Sequence, residues 1–166
     1  MPTRIFITGH RPNKIGGYDP NHPLRVAITD EIRAKLISAR NKFGDIHINN
    51  GGALGVDQDA ALECIYLTIP FTLYAPCHGQ ENKWPRESQE QYYFIRDQAS
   101  EIIYTHEGPY PGPWCLQKRN EDMIDNADLG LAVWNGDTSG GTYSAVAYAL
   151  QKGVKVVRID PTKLLA

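Results

Sequence analysis

Two stretches of this 166-residue chain combine residue types that can hold an anion. One is Gly51-Gly52-Ala53-Leu54-Gly55-Val56-Asp57; the other is Gly136-Asp137-Thr138-Ser139-Gly140-Gly141-Thr142. Each runs from a short apolar segment straight into a helical pattern. Glycine takes positive φ and lets a ligand approach the backbone closely. The helix that follows offers unpaired N–H groups and the positive end of its dipole. Together these suit a phosphate. Neither stretch carries the Gly-Lys-Ser/Thr of a Walker A loop or G-x-G-x-x-G spacing, so the motifs imply no cofactor.

Cations that would complete an anion site are Arg11, just after the first apolar run, and the pair Lys118 and Arg119. Arginine suits bidentate recognition of phosphate or carboxylate better than lysine, whereas a Lys-Arg pair also suits a solvated helix face. Asp57 reads in two ways. As a first-turn acid it favours the helix dipole by about 0.3–1 kcal/mol; as a ligand group it would bond a ribose hydroxyl. Asn49 and Asn50 would bond a ligand or hold a turn. Trp84, in the polar loop Gln80-Glu81-Asn82-Lys83-Trp84-Pro85, is the best placed ring to stack on a base, and Trp134 reads as core or near-core. The histidines at 10, 22, 47, 78 and 106 are too widely spaced to make a metal set. The adjacent Cys77 and His78 lack a visible orienting group for nucleophilic work.

The elements that must position these residues alternate. Strand-like runs cover Arg4–Thr8, Asp45–Asn49, Phe71–Ala75, Glu101–Tyr104, Leu129–Trp134 and Lys155–Ile159. Between them, Leu24, Ile28, Ile32 and Leu36 recur every four residues, and Val56, Ala60, Ala61, Cys64 and Ile65 form a second helical stripe. Helices are also predicted over Arg86–Ala99, Trp114–Asn126 and Thr142–Lys152. Strands alternating with helices imply βαβ units. The expectation is a single Rossmann-like, doubly wound α/β domain over residues 1–166, with a mostly parallel sheet of about six strands and helices on both faces. The uniformly apolar runs Leu129–Trp134 and Lys155–Ile159 suit strands covered on both faces. Ligands in such sheets bind at the carboxyl ends of the strands, which is where both glycine loops fall.

Composition sets the outer bounds. The fractions of 42% hydrophobic and 22% charged residues are those of a globular domain. The three cysteines cannot all pair internally and read as reduced thiols. No apolar run approaches the ~20 residues of a membrane helix, and Met1–Thr8 is too short for a signal peptide. A cytoplasmic protein with no membrane partner is expected. The net charge of −2 argues against nucleic acid, whose phosphate backbone calls for a basic stripe.

Four motifs in register carry a resemblance. Thr8-Gly9-His10-Arg11-Pro12, Gly51 to Asp57, Gln80-Glu81-Asn82-Lys83-Trp84 and Gln91-Tyr92 resemble the YpsA-like branch of the SLOG superfamily, the Smf/DprA and LOG group. Lys118-Arg119-Asn120 to Met123, Ala127-Asp128 and Ser139-Gly140-Gly141-Thr142 resemble the C-terminal half of LOG-type proteins. The resemblance implies a Rossmann-like fold that binds nucleotides or nucleotide-derived molecules, in a dimer or tetramer. LOG-type members split base from nucleoside monophosphate, other SLOG domains sense NAD-derived signals, and DprA-type members bind single-stranded DNA. Arg119 falls where the LOG arginine falls. The LOG catalytic Glu, three residues after Gly-Thr, is here Ala145.

The expected function is therefore binding of a nucleotide, of ADP-ribose/NAD-like or nucleoside monophosphate type, as a sensor or sequestering module. The alternatives are a divergent nucleotide N-glycosidase and a DprA-like single-stranded DNA binder. The expected ligand-binding residues are Gly9, His10, Arg11, Gly51, Gly52, Gly55, Asp57, Trp84, Lys118, Arg119, Asn120, Asn135, Ser139, Gly140, Gly141 and Thr142. Arg119 and the loop N–H groups would hold phosphate, Asn135 or Asp137 the ribose, and Trp84 the base. On that reading, Arg119→Ala weakens binding and leaves the fold intact.

Overall fold

The computed structural model describes residues 1–165. In chain order the elements are β1 (Thr3–Gly9), a 3-10 turn (Pro12–Lys14), α1 (Pro23–Phe43), β2 (Ile46–Asn50), α2 (Val56–Leu67), β3 (Phe71–Ala75), α3 (Arg86–Gln98), β4 (Glu101–Tyr104), α4 (Trp114–Asp125), β5 (Leu129–Val133), α5 (Gly141–Gln151) and β6 (Lys155–Ile159). A second 3-10 turn spans Pro161–Lys163. Local chemistry sets the boundaries. His22 caps α1 by accepting the Leu24 N–H at 3.1 Å, Pro23 opens its first turn, and Gly44 ends it at φ +79.

The six strands lie in the order β4-β3-β2-β1-β5-β6, and every neighbouring pair is parallel. The chain walks outward from β1 to β4, then crosses back to place β5 against the other side of β1. The order therefore reverses between β1 and β5, and a ligand crevice opens at their carboxyl ends.

Alternation along β1 divides the core in two. Ile5 and Ile7 face α1, α2 and α3, where Ile28, Ile32, Leu36, Cys64 and Ile95 pack. Phe6 faces the other way, against Met123 and Ile124 of α4 and Ala145 and Ala149 of α5. Helices thus cover both faces, as a parallel sheet requires. β5 is buried from Gly130 onward, but β6 is not covered as its apolar run suggests. It is an edge strand with Lys155 and Arg158 exposed, and the charged side chains suit an unpaired edge.

Gly130 pairs with Phe6 across the β1–β5 ladder, and a Cβ at residue 130 would run into the Phe6 ring. Phe6 is wholly buried and cannot swing aside. Gly130→Ala is expected to lose about 1–3 kcal/mol by overpacking, read as a lower urea midpoint with an unchanged slope.

Candidate functional site

Three loops converge at the carboxyl ends of β1, β2 and β5, and they are tied together by named bonds. The His10 carbonyl accepts the Val56 N–H at 3.2 Å, fastening the β1–α1 loop to the start of α2. The His10 ring, 4% exposed, accepts the Asn135 N–H on Nε2 at 3.0 Å, fastening it also to the β5–α5 loop. Lys14 adds an ion pair to Asp137 at 2.7 Å. This link joins residues 123 apart in sequence, and nothing in the local pattern announces it.

The two glycine loops play different parts. The β2–α2 loop is buried from Gly51 to Gly55, and its glycines serve packing. A Cβ on Gly55 would stand 2.5 Å from the His10 carbonyl, one on Gly52 2.7 Å from Leu73, and one on Gly9 2.5 Å from Val56. The loop's polar groups are also occupied. Asn50 accepts the Gly52 N–H at 2.7 Å, Asp57 accepts the Ala53 N–H at 3.2 Å, and Gln58 and Gln80 donate to the Gly52 and Gly51 carbonyls at 3.3 Å. Asn49 and Asn50 both hold structure. Asn49 Nδ2 donates to the Met123 carbonyl at 3.0 Å and Asn50 Nδ2 to the Asp57 carbonyl at 2.7 Å.

The β5–α5 loop is open. Ser139, Gly140 and Gly141 are exposed, and a Cβ on either glycine would meet nothing within 4 Å. Gly140 caps α5 at φ +91 with no side chain bonded to the helix start. Asp137 shapes the loop, accepting from the Ser139 N–H at 3.0 Å and Oγ at 2.8 Å. Those bonds and Lys14 hold its carboxyl well below the usual carboxylate range. Asn135 spends its amide N–H on His10 and its Oδ1 on the Asp137 N–H.

Arg119 lies beneath the closed loop, 3% exposed. Its Nη1 donates to the Gly51 carbonyl at 2.7 Å and to the Tyr74 carbonyl at 3.3 Å, and its Nε to Asn120 at 3.0 Å. Asp57 is buried beside it: a Cβ on Gly51 would stand 2.8 Å from Asp57 Oδ2 and 2.9 Å from Arg119 Cζ. Burial pushes the Asp57 carboxyl up from its ordinary value, and the Arg119 guanidinium opposes that rise. Arg11 is exposed above them. Lys118 turns away, pairing with Asp122 at 2.7 Å. Trp84 packs edge-on to Tyr92 with ring centroids 5.5 Å apart. Trp134 lies at the rim, under Arg158 at 4.9 Å. The Cys77 thiol is pushed up by burial, and His78 stacks on Tyr104 at 3.7 Å. The structure thus gathers Gly9, His10, Arg11, Asn135 and residues 139–142 at the crevice, with Asp57, Arg119 and Asn120 beneath it. It does not bring Lys118 there.

Residues 5–164 match the model of the YspA SLOG family. The chain belongs to this family. A UPF0398 protein of Brevibacillus brevis is 27% identical over 145 residues, covering 84% of this chain and 77% of that one. One from Bacillus thuringiensis is 28% identical over 154 residues, covering 90% and 83%. Among solved structures, DNA processing protein A (DprA) of Helicobacter pylori aligns with TM-score 0.68 at 18% identity, over 97% of this chain and 70% of that one. DprA of Streptococcus pneumoniae gives 0.61 at 13% identity, over 95% of this chain, which spans 50% of that protein. The protein TM1055 gives 0.58 at 18%, over 93% and 72%. These likenesses show a shared fold.

They also correct one expectation about this SLOG chain. The H. pylori structure is described by its single-stranded DNA binding mode, so the exclusion of nucleic acid from net charge does not stand. A net charge of −2 sums the whole surface and is silent about one crevice. On membranes, no helix among the described residues is long and apolar enough to cross one.

Two predictions follow from this wiring. Burial and the Lys14 cation lower the His10 pKa below its ordinary 6.5. The neutral ring is thus the folded form, and its stabilisation, present above the unfolded value, is lost as pH falls through the folded one. In an NMR titration the His10 ring should show a midpoint below 6.5, and the Asn135 amide should move with it. Arg119→Ala would strip two carbonyls of their donor and leave Asp57 buried without its cation. We expect a loss of about 3–5 kcal/mol, so the fold is not spared as the sequence suggests. Asp57 would then sit higher still. Since a raised carboxyl pKa favours the folded state at low pH, part of the variant's loss should be recovered as pH falls toward the carboxylate range.

Proposed function

We propose that this chain binds a nucleotide or nucleotide-derived small molecule, with a phosphate on the Ser139–Thr142 loop, as a sensor or sequestering module. The observation that carries this reading is the exposed start of α5, free of any side-chain cap bond, at the strand-order reversal, with open space over Gly140 and Gly141. Unpaired N–H groups and the positive dipole end face that space. Arg11 adds an exposed cation on the β1–α1 loop.

Binding is favoured over cleavage by what lies behind the loop. Ala145 is 1% exposed, packed with Phe6, Met123 and Ile124. No carboxylate occurs anywhere on α5. Splitting a glycosidic bond through an oxocarbenium-like state calls for a carboxylate beside it. Asp137 is engaged by Lys14 and Ser139, and Asp57 lies under the closed loop.

A second reading, single-stranded DNA on the same crevice, is favoured by the likeness to the H. pylori DprA structure. The two readings separate on salt: phosphate-backbone binding weakens steeply between 50 and 200 mM salt.

Proton NMR of AMP, GMP, NAD and ADP-ribose mixed with the protein tests the first reading. Broadened anomeric signals that persist for hours are expected for at least one of them; free base and sugar phosphate would mean turnover. Gly141→Val should leave the fold intact, since its side chain enters open space, and weaken binding about 10–100-fold, the equivalent of a lost charge-assisted hydrogen bond. Unchanged affinity in that variant would remove the phosphate from this loop.

A further inference from the structure

A second concavity lies toward the amino ends of the strands, away from the crevice. It is a groove of about 400 Å3 between α1 and the sheet. Leu129 and Leu131 of β5 and Val157 of β6 line one wall, and Leu36, Ala39 and Phe43 of α1 line the other. Among the described residues α1 is the only helix that lines it. Helices α4 and α5 pack on the opposite face of the sheet, and only the short Pro161–Lys163 turn follows β6. The apolar side chains are therefore left part-open: Leu129 and Val157 are half-buried, and Phe43 is 41% exposed. A mostly apolar concavity with a few charged groups is the usual build of a small-molecule site.

The charged groups are mostly cations. Lys35, Lys42 and Lys155 line the groove, and among the described residues none of them enters an ion pair. Lys42 Nζ lies 5.2 Å from the centre of the Phe43 ring, which sets one ammonium group against the apolar wall. One acid, Asp128, lines the groove, and its Oδ2 accepts the Arg4 N–H at 2.8 Å. The dipole of α1 accounts for Lys42 in its last turn, but not for Lys35 earlier on the helix or Lys155 on β6. Apolar walls with uncommitted ammonium groups are complementary to an amphiphile with a negative head. A second copy of the chain fits worse. In a two-fold contact the same patch meets itself, which would set hollow against hollow and lysine against lysine.

We propose that this groove binds a small single-chain carboxylate, its apolar body between α1 and strands β5 and β6 and its head among Lys35, Lys42 and Lys155. The site is separate from the crevice and does not depend on what the crevice holds.

NMR titration of the protein with hexanoate, octanoate and decanoate below their micellar concentrations tests it, with octanol as the uncharged comparison. The amides of residues 129–131 and 155–157 should shift, and those of the open glycine loop, 139–142, should not. Affinity should rise about fourfold for each added methylene, the transfer value of a buried CH2. Octanoate should bind more tightly than octanol, and replacing the three exposed lysines together (Lys35→Gln, Lys42→Gln, Lys155→Gln) should remove that advantage while leaving octanol unchanged. Ser38→Trp, at an exposed position that lines the groove, should fill it and abolish binding of all four compounds. Absence of shifts at the groove, affinity that does not grow with chain length, or an octanoate advantage that survives the triple variant would overturn the proposal. So would a wild-type dimer that Ser38→Trp splits into monomers and that binds none of the carboxylates, which would give the groove to a second copy.

Discussion

The crevice depends on one buried guanidinium. Arg119 reaches from α4 through the sheet face to the Gly51 and Tyr74 carbonyls, the chain ends of β2 and β3, with Asp57 of α2 alongside. A helix on one face of the sheet is thereby tied to a helix on the other. The cost of burying such a charge is offset only where its donors find acceptors and a carboxylate lies near. Here both conditions hold, and they hold at the loop that separates the crevice from the core. The β2–α2 loop is consequently a fixed floor. Against it the β1–α1 loop is fastened through the His10 carbonyl, and the β5–α5 loop through the His10 ring.

That order of dependence explains why two glycine-rich stretches with the same local grammar have opposite roles. Gly52 and Gly55 have positive φ and neighbours close enough to forbid a side chain, whereas Gly140 has positive φ and empty space. Glycine's freedom is spent on chain-to-chain approach in the first case and borders open space in the second. Sequence spacing carries the dihedral requirement but not what occupies the space beyond it, so both loops read alike before the structure is seen.

The fold was largely legible. Phe71–Ala75, Glu101–Tyr104 and Lys155–Ile159 are strands to the residue, because apolar runs bounded by Pro70, Ser100 and Asp160 allow little else. The parallel sheet followed from the alternation. What periodicity cannot show is the polar side of α2. Asp57, Gln58, Asp59 and Glu63 are all buried, each against a partner distant in sequence: Arg119, Gln91, Arg25 and Arg33. An acid in the first turn of a helix reads as a dipole contact. The cations that make these acids structural lie roughly 30 or more residues away, and only the folded chain brings them together. For the same reason the sequence does not show that Arg119, expected there as a ligand group, also bonds the Gly51 and Tyr74 carbonyls.

Position 145 argues the same point from the opposite side. The absence of a carboxylate there is visible in the sequence; its meaning is not, since an acid elsewhere could serve. In the fold the Ala145 methyl completes an apolar layer with Phe6, Met123 and Ala149. A glutamate at that site would enter this layer, and a carboxylate buried there without a partner would cost several kcal/mol in desolvation. The packing behind the open glycine loop is built around a small side chain. The open loop and the apolar layer meet at the start of α5, so a carboxylate introduced at residue 145 would have to displace that packing.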